Sequence, residues 1–132
     1  MIVLDASAAV DLLLDTTPYS TRIGAHLLEH VGEVHAPHLL DAEVGHVLRR
    51  HVLRGELRPR RAEQALEFLA GLRIMRYGHL TLLSRALQLR RNFTVYDALY
   101  VSLAEVLEAP LLTRDAGMAR SARRLVEVIH VG

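Results

Sequence analysis

The stretch Ile2-Val3-Leu4-Asp5-Ala6-Ser7-Ala8-Ala9-Val10-Asp11-Leu12-Leu13-Leu14 opens the chain with a short apolar run that passes, through one aspartate, straight into residues of helical composition. That is a strand feeding directly into a helix. The same alternation recurs downstream. Thr17 followed by Pro18 reads as an N-cap with a first-turn proline, and Ile23, Leu27 and Leu28 supply the apolar stripe of a second helix. Val34-His35-Ala36 is a second short strand, closed by Pro37. From His38 to Arg54 the positions Leu39, Leu40, Val44, Val47, Leu48 and Val52 recur at helical spacing, with Gly55 placed to stop the helix. A further helix starts at Pro59 and ends near Gly71.

Leu72 to Arg76 alternates with period two, as a half-exposed strand does. Thr81 to Arg91 is helical, and Thr94 caps a segment from Val95 to Leu107 that is apolar on nearly every face, so this helix should be central and buried. Pro110 to Thr113 is a strand, Asp115 to Arg124 a short helix and Val126 to Ile129 a last strand. Five strands alternating with helices, with no Asn-Gly or Asp-Gly turn, predict an α/β fold: a mostly parallel five-stranded sheet covered on both faces.

Composition narrows the chemistry. The 132 residues are 51% hydrophobic, enough for one domain over 1–132 with its own core. All 16 basic residues are arginine. Without a lysine there is no P-loop, no Schiff base and no kinase-type phosphate lysine. A receiver domain is set aside for the same reason. No cysteine means no disulfide, no thiolate zinc site and no Cys nucleophile. The start lacks a basic, apolar leader and no apolar run is long enough to span a bilayer, so a soluble cytoplasmic protein is expected.

In an open parallel sheet, ligands bind beyond the carboxyl ends of the strands. Asp5 ends the first strand and Asp115 lies two residues past Thr113 on the fourth. Asp97 sits three residues after Thr94, and Glu43 sits early in the helix that follows the second strand. Each has a plainer reading: Asp5 and Asp115 as N-caps, Asp97 as part of a capping box, Glu43 as an acid near a positive helix end. What sets them apart is that all four map to one edge of one sheet. Four carboxylates at close quarters repel by roughly 4 kcal/mol per pair at an effective dielectric near 20. A divalent cation would offset that, and oxygen ligands without cysteine favour Mg²⁺ or Mn²⁺ over zinc.

Four phrases then carry a resemblance: Ile2-Val3-Leu4-Asp5-Ala6-Ser7, Pro37-His38-Leu39-Leu40-Asp41-Ala42-Glu43-Val44, Tyr96-Asp97-Ala98-Leu99-Tyr100-Val101-Ser102-Leu103-Ala104 and Leu111-Leu112-Thr113-Arg114-Asp115. In order and spacing they resemble the signature segments of the PIN domain, and among PIN domains the chain is most similar to VapC toxins. The resemblance implies a three-layer α/β/α fold and a Mg²⁺- or Mn²⁺-dependent endoribonuclease. It also implies a toxin that forms a homodimer and is held inactive by a VapB-type antitoxin. Carried over by position, the catalytic acids are Asp5, Glu43, Asp97 and Asp115, with Asp5 and Asp97 as metal ligands. Ser7 and Thr113 orient carboxylates or water from behind. Such an enzyme hydrolyses RNA with an activated water and leaves 5′-phosphate and 3′-hydroxyl ends.

Other signals point elsewhere. His26-Leu27-Leu28-Glu29-His30 spells an inverted zinc-hydrolase motif, two imidazoles on one helical face, but needs a third ligand and a cleft. His35, His38, His46 and His51 lack zinc spacing. A non-catalytic module that uses the acidic pocket only to bind a partner or a cation is the alternative from another class. Three arginine groups, Arg49/Arg50/Arg54, Arg58/Arg60/Arg61 and Arg120/Arg123/Arg124, are either solvated surface or a rim that contacts phosphates, and Arg49, Arg50 and Arg54 are the first candidates to hold RNA. Tyr96 and Tyr100 are spaced as core residues. Asp41 reads as a cap or surface acid, and Asp11 as a solvent-facing residue or a support to Ser7.

Overall fold

The computed structural model describes residues 1–132. Its elements are β1 (Ile2–Leu4), α1 (Ala6–Leu13), α2 (Tyr19–Glu29), β2 (Val34–Pro37), α3 (Leu39–Leu53), α4 (Pro59–Gly71), β3 (Ile74–Tyr77), α5 (Leu83–Gln88), α6 (Val95–Leu107), β4 (Leu111–Thr113), α7 (Ala116–Ala122) and β5 (Val128–His130). The strands form one sheet in the order β3-β2-β1-β4-β5, and every neighbouring pair is parallel. The chain thus winds outward from β1 to β3, then returns across the sheet to β4 and β5. Right-handed crossovers put α1 to α4 on one face and α5 to α7 on the other. This is the expected three-layer α/β/α arrangement.

Burial explains the unbroken apolar runs. β1 and β4 lie in the middle of the sheet, covered on both faces, and each of their residues is buried. Helix α6 packs against β1, β2 and β4, and Ala98 to Ala104 are all buried. The all-round apolar character of that segment therefore follows from its place between the sheet and α5. β3 is an edge strand, and its Met75 is exposed. No helix is long and apolar enough to cross a membrane.

Several boundaries differ from the sequence reading. Helix α2 begins at Tyr19 with Pro18 in the cap position and no side-chain cap, so Thr17 does not cap it. The strand expected at Leu72–Arg76 is displaced to Ile74–Tyr77 because α4 runs to Gly71 and Leu72 still bonds back to its last carbonyls. The helix expected over Thr81–Arg91 starts as a 3₁₀ turn at Leu80–Leu82 and is regular only to Gln88. The last strand pairs over Val128–His130, two residues later than Val126. Gly55 ends α3 with φ +74, a conformation open to glycine without steric cost.

Candidate active site

The order of the strands makes a crevice between the carboxyl ends of β1 and β4, where the chain connections leave in opposite directions. Asp5 follows β1 and Thr113 ends β4. The two strands pair with Leu4 beside Leu112, so Asp5 and Thr113 become neighbours across the crevice. Asp5 is 3% exposed, and both of its carboxylate oxygens are held. Oδ1 accepts from the Ser7 hydroxyl at 2.8 Å and from the Ala8 N–H at 3.0 Å. Oδ2 accepts from the Thr113 hydroxyl.

The proton inventory of this cluster is tight. Ser7 and Thr113 each have one hydroxyl proton, and each gives it to Asp5. Their oxygens in turn accept backbone N–H groups, Arg114 onto Ser7 and Asp115 onto Thr113, both at 3.0 Å. The loop after β4 is therefore pinned to the same two hydroxyls that fix Asp5.

Asp5 and Asp115 both do what the plainer reading asked: Asp5 caps α1, and Asp115 caps α7 through the Met118 N–H. Capping and a place in the cleft are compatible, because the cap uses one carboxylate oxygen while the residue lies at a strand end. Thr94 caps α6 by accepting the Asp97 N–H at 3.1 Å. The return bond of a capping box is not made, which leaves the Asp97 carboxylate free to line the cleft.

Asp5, Glu43, Asp97 and Asp115 all line one open cleft of about 810 Å³. Burial, and after it repulsion, is visible in the proton affinity of Asp5 and Asp97. Burial raises the Asp5 pKa to about 6, against the lowering effect of its three hydrogen bonds, and the charge of Asp97 adds to the rise. Asp97 is also raised, by burial first and then by Asp115 and Glu43. The four acids surround the floor of the cleft without any three closing on a common point. The four acids offer only oxygen donors, and a hard divalent cation would relieve the raised proton affinity of Asp5 and Asp97, so the residues fit such an ion.

Two further site residues escaped the sequence reading. Tyr100 is buried, as its spacing suggested, but its hydroxyl donates to Glu43 Oε1 at 2.6 Å across 57 positions of chain. Burial and that bond push the phenol well above its ordinary pKa, so it acts as a fixed donor. Tyr96, one turn earlier on α6, is not a core residue: it is 61% exposed on the cleft wall. Removing the Tyr100 hydroxyl tests its part. Tyr100→Phe should leave stability within about 1 kcal/mol in urea titration, since water can reach half-buried Glu43, and should lower kcat/KM of any reaction at this site about tenfold.

The remaining candidates sort by position. Arg50 lines the cleft with His46, whereas Arg49 on α3 and Arg54 at its C-terminal cap are exposed and do not. The expected trio is thereby reduced to one residue facing the site, because a helix turns successive side chains to different faces. Arg58, Arg60 and Arg61 surround a separate hollow. Asp41 is neither cap nor free surface acid: its carboxylate takes a two-point bond from Arg76 on β3, at 2.6 and 3.0 Å. Asp11 lines the cleft and pairs with Arg114 at 2.6 Å. His30 turns its Nδ1 to the His26 carbonyl at 2.9 Å, and no third ligand joins the two imidazoles.

The family pattern of the PIN domain matches residues 2–124. The chain belongs to the PIN-domain family. Within that family it falls among the VapC proteins: it is 47% identical over 118 residues to Ribonuclease VapC1 of Mycobacterium tuberculosis, covering 89% of this chain and 87% of that one. Its fold is similar to the crystal structure of PAE2754 from Pyrobaculum aerophilum, with TM-score 0.71 at 21% identity over 96% of this chain and 87% of the other. It is also similar to VapBC2 from Rickettsia felis bound to a DNA fragment from their promoter, with TM-score 0.70 at 12% identity over the whole of both chains. In this PIN domain the four acids lie where β1, α3, α6 and the β4–α7 turn meet.

Proposed function

We propose that this chain is the toxin of a VapC-type pair, an endoribonuclease acting through residues 1–132 as a single PIN domain in the cytoplasm. The observation that carries the reading is the buried Asp5, fixed by Ser7 and Thr113 at the switch point of the sheet and surrounded by three more acids. Asp5 and Asp97 would hold a divalent cation, Mg²⁺ or Mn²⁺, with Glu43 and Asp115 beside them. When bound, the ion supplies Lewis-acid stabilisation of the phosphodiester and a lowered pKa for water at the site. Ser7 and Thr113 keep Asp5 in one rotamer. Tyr100 keeps Glu43 aimed at the cleft, where that carboxylate can take a proton from the attacking water.

The partners in this reading are RNA, a second copy of the chain and a VapB-type antitoxin that lays a segment along apolar helix surface. The groove between α2 and α4, with Leu28, Val31 and Phe68 exposed, suits that segment. The test is incubation of chelator-stripped protein with total bacterial RNA, with and without Mg²⁺ or Mn²⁺, and sequencing of the ends. Discrete metal-dependent cuts with 5′-phosphates are expected. Cuts that persist in chelator, or 2′,3′-cyclic ends, would remove the mechanism.

Metal affinity should depend on pH in a set direction. The ion competes with the proton that the folded state holds on Asp5 up to about pH 6, and raised Asp97 adds a second competitor. The rise in Tm produced by a fixed Mg²⁺ concentration should therefore grow from pH 5 to pH 7.5, with apparent affinity gaining about tenfold or more per pH unit below 6. A pH-independent shift would place the ion elsewhere.

A further inference from the structure

We propose that the hollow beside the acid cluster, edged by Arg90, Arg91 and Asn92 in the turn before α6, is a second subsite that binds a phosphodiester of the RNA strand flanking the bond being cut. The inference rests on the ribonuclease reading and extends it. The hollow has a volume of about 640 Å³ and shares Asp97 and Asp115 with the main cleft. A strand running from one into the other must pass over the acids, which puts a phosphate of its backbone there.

The arginines are poised for an anion. Arg91 makes no side-chain hydrogen bond or ion pair within the protein, and Arg90 gives a single N–H to the Leu87 carbonyl at 3.2 Å. Neither pairs with Asp97 or Asp115, although all four line the same hollow. Every other arginine that touches a carboxylate here, Arg76, Arg85 and Arg114, does so through Nε at 3.0 Å or less. Arg90 and Arg91 thus keep forked donors available beside negative charge, an arrangement that attracts a phosphate to the edge of a site that would otherwise repel it. Arg50 lines the main cleft and not the hollow, so cationic side chains stand in both spaces that share Asp97 and Asp115, as binding of a single strand requires.

The experiment uses full-length protein carrying Asp5→Asn, so that RNA is bound and not consumed, and a fluorescein-labelled single-stranded RNA of mixed sequence, about 12 nucleotides long. In this background Arg90→Gln/Arg91→Gln should raise Kd about tenfold at low salt. It should also flatten the dependence of log Kd on log salt by about 0.7 for each phosphate that is no longer neutralised. Arg91→Gln alone gives about half the effect at unchanged Tm, because that side chain has no partner in the protein. Arg58→Gln/Arg60→Gln removes the same charge at a hollow that shares no residue with the cleft, and serves as the control. In the cleaving protein the Arg90/Arg91 pair of substitutions raises KM and leaves end chemistry as it was.

Equal losses of affinity in both double variants would reduce the effect to bulk charge and overturn the proposal. An unchanged Kd and salt slope, or no binding of the oligonucleotide at all, would overturn it as well. Protein that binds the oligonucleotide through Arg90 and Arg91 yet cuts no RNA with any divalent cation would sink the ribonuclease reading and leave the subsite standing.

Discussion

Asp5→Asn is expected to stop RNA cleavage, by about 10³-fold or more, while raising the melting temperature of the metal-free protein at pH 7.5. The two effects have one cause. Asp5 is buried and its pKa is raised from 3.8 to about 6. Between those values the folded state keeps a proton that the unfolded chain releases. The carboxyl therefore costs the fold nothing below pH 3.8, a growing amount through that window, and about 3 kcal/mol above pH 6. Asparagine has no charge to desolvate.

It also fits the hydrogen bonds. The amide oxygen can accept from Ser7 and the Ala8 N–H as Oδ1 does, and asparagine is as good an N-cap as aspartate. The amide NH₂ then faces Thr113, whose oxygen can accept a second bond while its proton turns to Ser7, 3.3 Å away. A net gain of about 2 kcal/mol, or roughly 5 °C in Tm, should appear at pH 7.5 and vanish near pH 4. Scanning calorimetry at both pH values, beside a cleavage assay, checks it. A variant that cuts like wild type removes Asp5 from the chemistry, and a gain of equal size at pH 4 removes the burial argument.

What could be read from residues alone divides along a physical line. Strand runs such as Ile2-Val3-Leu4 and the apolar α6 announce burial by composition, and burial on both faces in turn implies a parallel sheet. Strand-end acids are legible because a parallel sheet has only one edge where ligands bind. Tyr96 and Tyr100 mark the limit. They are four positions apart on one helix and share its face, yet one is exposed on the cleft and the other is buried under it. Spacing reports the face and not how far along the helix its cover extends.

Partners across the fold were equally hidden. Tyr100 with Glu43, Arg76 with Asp41 and Arg114 with Asp11 join elements 57, 35 and 103 positions apart. Local pattern carries no record of which arginine meets which acid. Arg90 and Arg91 escaped for a related reason: in sequence they are the ragged end of a helix, and only the turn into α6 brings them beside Asp97 and Asp115. The missed boundaries at Tyr19 and Leu80 lie at helix ends that begin as turns, with Ser20 bonded back to Thr16 and Leu82 to His79, and the one at Val128 is set by pairing with β4.

The second large effect concerns Arg114, which joins three parts of the molecule without being one of the four acids' supports. Its Nε donates to Asp11 Oδ2 at 2.6 Å, Nη1 donates to the Val131 carbonyl at 2.9 Å, and its Cζ lies 3.4 Å from the centroid of the Tyr19 ring. The two charged side chains are 22% and 20% exposed, so water screens them only in part. Arg114→Met keeps the volume and removes every one of these interactions. It leaves the Asp11 carboxylate half-buried and unpaired, which should cost about 3 kcal/mol, or roughly 8 °C in Tm.

Most of that cost is the stranded charge rather than the worth of the pair. Asp11→Asn/Arg114→Met should therefore recover about half of it or more, a coupling that a double-mutant cycle in urea measures directly. Cleavage by the single variant should fall as well, because Asp11 lines the same cleft and its charge, once unpaired, makes the neighbouring carboxylates harder to ionise. The backbone bond from Arg114 N–H to Ser7 is kept in both variants, so Asp5 stays in place and recovery of activity in the double variant isolates the charge. A single variant destabilised by less than about 1 kcal/mol would mean that the pair behaves like an exposed one. The C-terminal residues would then owe their attachment to the β5 ladder and to the bond from Arg22 to the Gly132 carbonyl.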